Sequence, residues 1–382
     1  MRMVFLSNKM TAHQLPLSNE LYNLLGEGYR FVETMDIDNG DLPMGWKNTE
    51  TPQYLISNQG FHDNHDDIQR LIDESDVVVY GSAPFELVKE RLRQGKLVFR
   101  YSERIFKQEE SAVKMLLRRH KYKSMYGSFE SHYLLCASAY ACADYYRAGV
   151  FKNKAYEWGY FPQTFFDNSD IIEKKQKREL LWCGRMIDWK YPGHAVILAE
   201  RLKKEGVSFK LIIAGTGNEE EKIRNMAKQF ELDDCVEFFG EIPPIKVREL
   251  MDRAGIFLFT SDRQEGWGAV LNEAMGSGCA VVASHAIGSV PSLIKDGENG
   301  MIYRSGDTDM LYEKTRMLVD DPALQSKTGK NALLTIHSIW NEKVAADRLL
   351  RLSERILAGE KSPELYPDGP CSKAKMLPDN WY

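Results

Sequence analysis

The feature that most limits how this chain folds is an alternation of short apolar runs and amphipathic segments that runs almost from end to end. Strands are expected at Met3–Leu6, Tyr29–Thr34, Asp76–Tyr80, Lys96–Tyr101 and Tyr133–Cys136, with helices at Leu15–Leu25, Ile68–Glu74, Glu86–Gln94 and Ala139–Arg147. The pattern restarts with strands at Leu180–Cys183, Phe209–Ala214, Val236–Phe239, Ile256–Thr260 and Cys279–Ala283. Helices follow at His194–Lys204, Glu219–Phe230, Ile245–Asp252, Val270–Gly276 and Asp307–Val319, and Asn341–Leu357 closes the series. Runs such as DVVVY, apolar throughout after its Asp, and CAVVA show no polar alternation, so both faces of their sheet must be covered. Strands that each return through a helix make a parallel sheet with helices on both faces, an α/β architecture.

At 382 residues the chain exceeds what one core organises, so two domains are expected. Pro43–Gly60 reads as a loop, and Tyr160–Ser169, with Pro162 and a polar end, reads as the linker. The divisions are residues 1–165, 166–340 and a closing helix and tail at 341–382. A net charge of -5, from 50 Lys and Arg against 55 Asp and Glu, argues against a general nucleic-acid binder. The six cysteines are scattered and form no CxxC pair, so neither a zinc site nor a disulfide framework is suggested. The opening MRMVFLSNKM is a strand and a polar loop rather than a signal peptide, and no apolar run approaches the roughly 20 residues of a membrane span. A cytoplasmic protein, peripheral at the inner membrane face in one reading, is expected.

Three motifs carry candidate chemistry. In QEGWGAVLNEAMGSG (residues 264–278), Glu265 sits in the turn after a strand and Glu273 about two turns along the next helix, on a similar side. Gly266 and Gly268 between them let a ligand approach the backbone, and the helix start offers N–H groups to a phosphate. A carboxylate on the helix suits vicinal hydroxyls; a solvated glutamate pair is the plain alternative. In GRMIDWK (residues 184–190), Arg185 and Lys190 leave the carboxyl edge of the first strand of the second half, where two cations can clamp a diphosphate. Each alone also reads as a surface charge. In AGTGNEE (residues 214–220), the Gly-x-Gly lacks the third glycine of a dinucleotide fingerprint, Glu220 standing in its place, so a turn into a helix is an equal reading.

From about Leu180 to Leu357 the segments LLWCGRMIDWKYP, LIIAGTG, VEFFGEI, IFLFTSDRQEGWGAVLNEAMGSGCAVVAS and DGENGMIY resemble, in order, the donor domain of glycosyltransferase family 4. The first half, through FLSNKMTAHQLPLSNELY, DVVVYGSAP, LVFRYSERIF and LLCASAY, resembles members from bacterial polysaccharide clusters. That resemblance implies a GT-B fold, two Rossmann-like domains facing a cleft with the C-terminal helix and tail packing back. It implies transfer of a sugar from a UDP- or GDP-sugar to a glycan or lipid-linked acceptor, with retention at the anomeric carbon and no metal or other cofactor. On it, Glu265 would touch the donor sugar and Glu273 the ribose hydroxyls, while Arg185 and Lys190 hold the diphosphate. Gly215 and Gly217 would line the donor pocket, and Phe239, Gly240 and Glu241 would meet the base. Backbone groups of Gly266, Trp267, Gly268 and Ala269 would help hold phosphate or sugar. The first half departs from the family: Ser7–Gln14 has no glycine, and Ser102-Glu103-Arg104 stands where relatives carry a histidine. His13 and Glu103 are its candidates for sugar or acceptor contact, an ordinary loop being the other reading of His13.

HDNHDD (residues 62–67) reads as a solvated acidic loop rather than a metal site. Lys89–Lys123 carries twelve Lys and Arg against four Glu, and within it Val113, Leu116 and Leu117 form an apolar stripe. This is either a solvated charged face or a helix for an anionic membrane. Two further readings stay open, a non-catalytic nucleotide-sugar sensor on the same fold and a nicotinamide-dependent oxidoreductase.

Overall fold

A computed structural model describes residues 1–35, 51–108, 111–127, 129–166 and 170–382. The chain forms two compact units, Met1–Gln163 with Asn341–Asp379, and Thr164–Trp340 with Asn380–Tyr382. The first contains β1 (Met3–Ser7), β2 (Tyr29–Glu33), β3 (Leu55–Ile56), β4 (Val77–Tyr80), β5 (Val98–Ser102), β6 (His132–Cys136) and β7 (Ala155–Glu157). The second contains β8 (Gln176–Cys183), β9 (Lys210–Ala214), β10 (Val236–Gly240), β11 (Ala254–Phe259), β12 (Ala280–Ser284) and β13 (Met301–Tyr303).

Each unit has one sheet whose neighbouring strands are all parallel, in the orders β3-β2-β1-β4-β5-β6-β7 and β10-β9-β8-β11-β12-β13. The order reverses between β1 and β4 in the first unit and between β8 and β11 in the second. At such a switch point the loops part to opposite faces and leave a crevice outside the carboxyl ends of the strands. The core follows from the uninterrupted strand sequences: every residue of β4 and β12 is buried. Around β8, Leu180 and Trp182 pack with Leu211, Ile213, Ile256 and Val282. In the first unit Val4, Leu6, Val32 and Val78 pack against Ile72 and Val88 from the covering helices.

Several segments differ from expectation. A helix spans Pro322–Ser338, where none was read. Asp321 caps it by accepting from Ala323 and Leu324 N–H at 2.9 Å, and Pro322 supplies the preset first turn. Its polar face hid it, while Gly329 lets it press on the Gly278 carbonyl. The loop read over Pro43–Gly60 contains β3 and the start of a helix, Asn58–Asp63; residues 43–50 lie outside the described residues, as do 167–169 of the linker segment. HDNHDD is a helix end and the start of the next helix, His65–Glu74, rather than a loop. The closing helix, Glu342–Leu357, capped by Asn341 accepting from Val344 N–H at 3.0 Å, belongs to the first unit.

The loops after β8 and β9 are laced by main-chain bonds: Gly184 N–H to Ala214 O at 3.0 Å, Met186 N–H to Thr216 O at 2.7 Å and Glu219 N–H to Met186 O at 2.9 Å. Gly215, at φ +125°, sits against the Gly184 carbonyl, and a Cβ there would drive far inside contact distance. Gly297, at φ +76°, has open space around it. Gly215→Ala should therefore lower stability by about 2 kcal/mol or more, whereas Gly297→Ala should cost about 1 kcal/mol from backbone strain alone. Urea unfolding followed by circular dichroism compares them; equal midpoint shifts would refute the role given to Gly215.

Candidate active site

The second unit's switch point gathers side chains from three loops. Lys190, in a single helical turn Asp188–Lys190 after β8, places Nζ 2.6 Å from Oε2 of Glu265, which follows β11. The two side chains are only 14% and 12% exposed. Ser261 Oγ donates to the same carboxylate oxygen at 3.0 Å. The loop carrying Lys190 is held by its own carbonyl, which accepts from Thr260 Oγ1 at 2.6 Å. That hydroxyl in turn accepts from Trp182 Nε1 at 2.8 Å. Asp262 N–H donates to Trp189 O at 2.9 Å. The pair is thus fixed by β8 and β11, two neighbouring strands, although 75 residues separate its members.

Glu273 lies in the first turn of Val270–Gly276, one turn rather than two into the helix, because the helix begins only at Val270. It is half-buried, and burial raises its carboxyl pKa above the usual range while Arg248 opposes the shift. Burial also pushes the Cys183 thiol, at the end of β8, up to about 12, with Glu273 adding to the shift and Lys190 reducing it. Glu273 and Lys190 therefore both bear on the same strand end. Arg185 is exposed and has no side-chain partner among the described residues.

Between the glutamates, Gly268 adopts φ +83°, where a Cβ would lie 2.5 Å from the Phe259 ring. Among the described residues, the backbone N–H groups of Gly266, Trp267, Gly268 and Ala269 find no acceptor. Successive unpaired N–H groups can hold an anion where they converge on one point. The indole of Trp267 is fully buried, donating to Asn272 Oδ1 at 2.9 Å and packing 5.5 Å from the Trp340 ring, so this residue has only its backbone to offer. Ser289 N–H donates to Trp267 O at 3.2 Å and Gly288 N–H to Glu265 O at 3.2 Å, which anchors the loop from the side of β12. Gly215 and Gly217 serve the loop contacts described above, and Gly215 N–H donates to the Gly240 carbonyl at 2.7 Å. Phe239 and Glu241 are exposed at the end of β10. The sequence reading missed Ser261, Thr260 and Trp182; Thr260 and Ser261, polar and buried directly after an apolar strand, were the available signal.

The first unit has a cavity of about 370 Å³ at its own switch point, lined by the ends of β1, β4 and β5. It brings together His13 and Glu103, ninety residues apart. The ring of Tyr160 stacks on His13 at 5.7 Å, and its hydroxyl donates to Glu103 Oε1 at 2.7 Å. Burial keeps the His13 pKa below its ordinary value, so the imidazole is neutral near pH 7. Tyr160, Arg100 and Arg104 also line this cavity and were not read as site residues.

The basic stretch does not act as one surface. Arg91 is buried and donates to main-chain carbonyls, Arg104 is buried in ion pairs, and Arg118 donates to Ile105 O at 2.8 Å. The helix Ala112–Tyr126 packs Met115, Tyr122, Met125 and Tyr126 inward. Its opposite face carries Val113, Leu116 and Leu117, at 70%, 68% and 66% the three most exposed large apolar side chains of the described residues. Lys114 and Lys121 flank that face on one side and Arg119 and Lys123 on the other, by helical spacing. No helix of the described residues is long and apolar enough to cross a membrane.

Residues 165–334 match the family model described as Glycosyl transferases group 1. WcaL of Salmonella typhimurium, a glycosyltransferase named for colanic acid biosynthesis, is 29% identical over 189 residues, covering 48% of this chain and 45% of that protein. AmsK of Erwinia amylovora, named an amylovoran biosynthesis glycosyltransferase, is 28% identical over 186 residues, 47% of this chain and 46% of that protein. The chain thus spans less than half the length of these curated relatives. Among solved structures, Anabaena HepE in complex with UDP superposes with a TM-score of 0.67 at 15% identity, covering 92% of this chain and 99% of that one. A glycosyltransferase from Rickettsia africae gives 0.68 at 14%, covering 94% and 99%. The fold is that of the GT-B glycosyltransferases, and its second unit carries the group 1 sequence pattern.

Proposed function

We propose that this chain is a retaining glycosyltransferase of family 4 that moves a hexose or related sugar from a UDP- or GDP-sugar to a glycan or lipid-linked acceptor. A surface or capsular polysaccharide pathway is the setting in this reading. The observation that carries it is the Lys190–Glu265 pair beside the free N–H groups of Gly266–Ala269 at the switch point. The names of WcaL and AmsK and the UDP bound to HepE support it.

As the glycosidic bond to the diphosphate breaks, negative charge grows on the leaving oxygen. Fixed cations and N–H groups aimed there stabilise the transition state more than the bound substrate. Arg185 and Lys190 supply the cations, so no divalent metal is needed. Glu265, released from Lys190 as the diphosphate takes that ammonium, faces the sugar. Glu273 accepts from the ribose hydroxyls.

Replacing Arg185 or Lys190 by Ala removes a charge-assisted contact of about 1.5–3 kcal/mol and should weaken UDP or GDP binding roughly tenfold or more. Calorimetry reads this, and unchanged affinity in both variants would remove them from the site. Turnover should survive EDTA; abolition with rescue by manganese would overturn metal independence.

The two glutamates should separate kinetically. Glu273→Ala removes a contact equal in ground and transition states, so it should raise KM for donor and weaken free-nucleotide binding. Glu265→Ala should lower kcat on the order of 10²-fold. Because it frees Lys190, free UDP should bind this variant at least as tightly as wild type. Steady-state kinetics and calorimetry on both variants decide, and the reverse pattern would mean the roles are exchanged.

In the same reading, the helix Ala112–Tyr126 lies on an anionic membrane with Val113, Leu116 and Leu117 inserted and its flanking cations on lipid headgroups. Sedimentation with phosphatidylglycerol vesicles should fall as salt rises, and the double change Arg119→Glu, Lys121→Glu should abolish it. If sedimentation is untouched, the helix face is merely solvated.

A further inference from the structure

Among the described residues, the cavity of the first unit contains one cation with no counter-charge. Arg104 is neutralised by Asp144 at 3.4 Å and Asp379 at 2.8 Å. Glu103 is neutralised by Lys107 at 2.6 Å and satisfied by the Tyr160 hydroxyl. His13 is neutral through burial. Arg100, on β5, makes no ion pair among the described residues. Its Nη1 donates to the Gly81 carbonyl, and its guanidinium lies 4.9 Å over the Tyr80 ring. The groups packed round it electrostatically are the tyrosines Tyr80, Tyr126 and Tyr145, and the buried, neutral His132.

A guanidinium stays charged at any accessible pH, and holding it half-buried without a carboxylate is costly. Among the described residues, charge compensation is made for both its neighbours, Glu103 and Arg104, but not for Arg100. Beside Gly81 and Tyr101, the remaining wall of the cavity carries the hydroxyl and amide groups of Ser7, Asn8, Thr11, Gln14, Ser82 and Ser102. Such a lining suits a polyhydroxyl ring, and a single unpaired cation in it suits one anionic substituent on that ring or next to it.

We propose that this cavity binds an acceptor bearing an anionic group, a sugar carboxylate or a phosphate, and that Arg100 is the residue that selects it. The site is an anion-recognition site in its own right; only the word acceptor rests on the sugar-transfer reading. Arg100, with Nη1 on the Gly81 carbonyl, offers its remaining N–H donors to the anion, while the neutral His13 is left for hydroxyl groups.

The test uses the full chain with UDP at saturation, so that phosphate cannot report on the second unit. Binding of methyl glucuronide, inorganic phosphate and methyl glucoside is measured by calorimetry. At least one anion should bind tenfold or more tightly than the neutral glucoside, with an affinity that falls with salt. Preference for the glucuronide assigns a sugar acid, and preference for phosphate assigns a phosphorylated acceptor. Arg100→Gln should remove the preference, and Arg100→Lys should retain part of it. Ser82→Tyr, at the exposed rim, should block all three ligands without altering the interior. If Arg100→Gln fails to fold, the wild-type preference and its loss in Ser82→Tyr decide the question. Equal binding of glucoside and both anions, or a preference that persists in Arg100→Gln, overturns the proposal. Failure of the wild type to bind UDP would instead count against the sugar-transfer reading, and the anion result would then be read from the difference between wild type and Arg100→Gln, which the second unit does not share.

Discussion

A strand that is hydrogen-bonded in parallel on both sides, with helices over both faces, leaves its chain nowhere to turn except at the sheet edges. Every loop from strand to helix then emerges at the carboxyl edge. The rest of this structure depends on that constraint. It is imposed twice, by the uninterrupted apolar runs around β1 and β4 and around β8 and β11. At each reversal of strand order the loops diverge, and each unit has its polar side chains collected there. The His13–Glu103–Arg100 cavity and the Lys190–Glu265 pair are equivalent products of one topological rule, filled with different chemistry.

The Lys190–Glu265 pair shows how charged groups at such a position are kept stable. A largely buried ammonium would be expensive by itself, as would a largely buried carboxylate. Together, with Ser261 donating to the carboxylate, they offset one another. The arrangement also sets a competition. On the proposed function, an anion that takes up the Lys190 ammonium frees the Glu265 carboxylate for another partner. Rigid anchoring makes this exchange local: Thr260 fixes the Lys190 backbone, and Gly288 and Ser289 fix the Glu265–Trp267 loop.

Glycines and buried aromatics do the mechanical part. Gly215 and Gly217 permit the loops after β8 and β9 to bond to each other, and Gly268 turns the chain past Phe259. Trp267 is sunk into the core beside Trp340, so the main chain around it is held in place while its N–H groups find no acceptor among the described residues. Residues that look like ligand contacts from their spacing are here partly scaffolding for the contacts made by their neighbours.

Much of this was legible in sequence. Apolar runs identify parallel strands because burial on both faces leaves little polar alternation, and ten of the thirteen strands of the described residues fall where strands are expected, although Arg30, Arg100 and Glu237 interrupt three of those runs. Glu265, Lys190 and Arg185 could be named because they directly follow those strands. The helix Pro322–Ser338 was not legible, since its short buried stripe is interrupted by Gly329 and polar positions whose value lies only in packing. Nor was the meeting of His13, Arg100, Glu103 and Tyr160, because strand order is decided by long-range pairing and not by any local signal. The sequence by itself determined the class of fold and the strand ends at which chemistry could sit, through local burial and turn preferences. Only the tertiary structure decided which charges are compensated, Lys190 by Glu265 and Arg104 by Asp144 while Arg100 has no ion-pair partner among the described residues, because compensation depends on distances across strands that lie far apart in the chain.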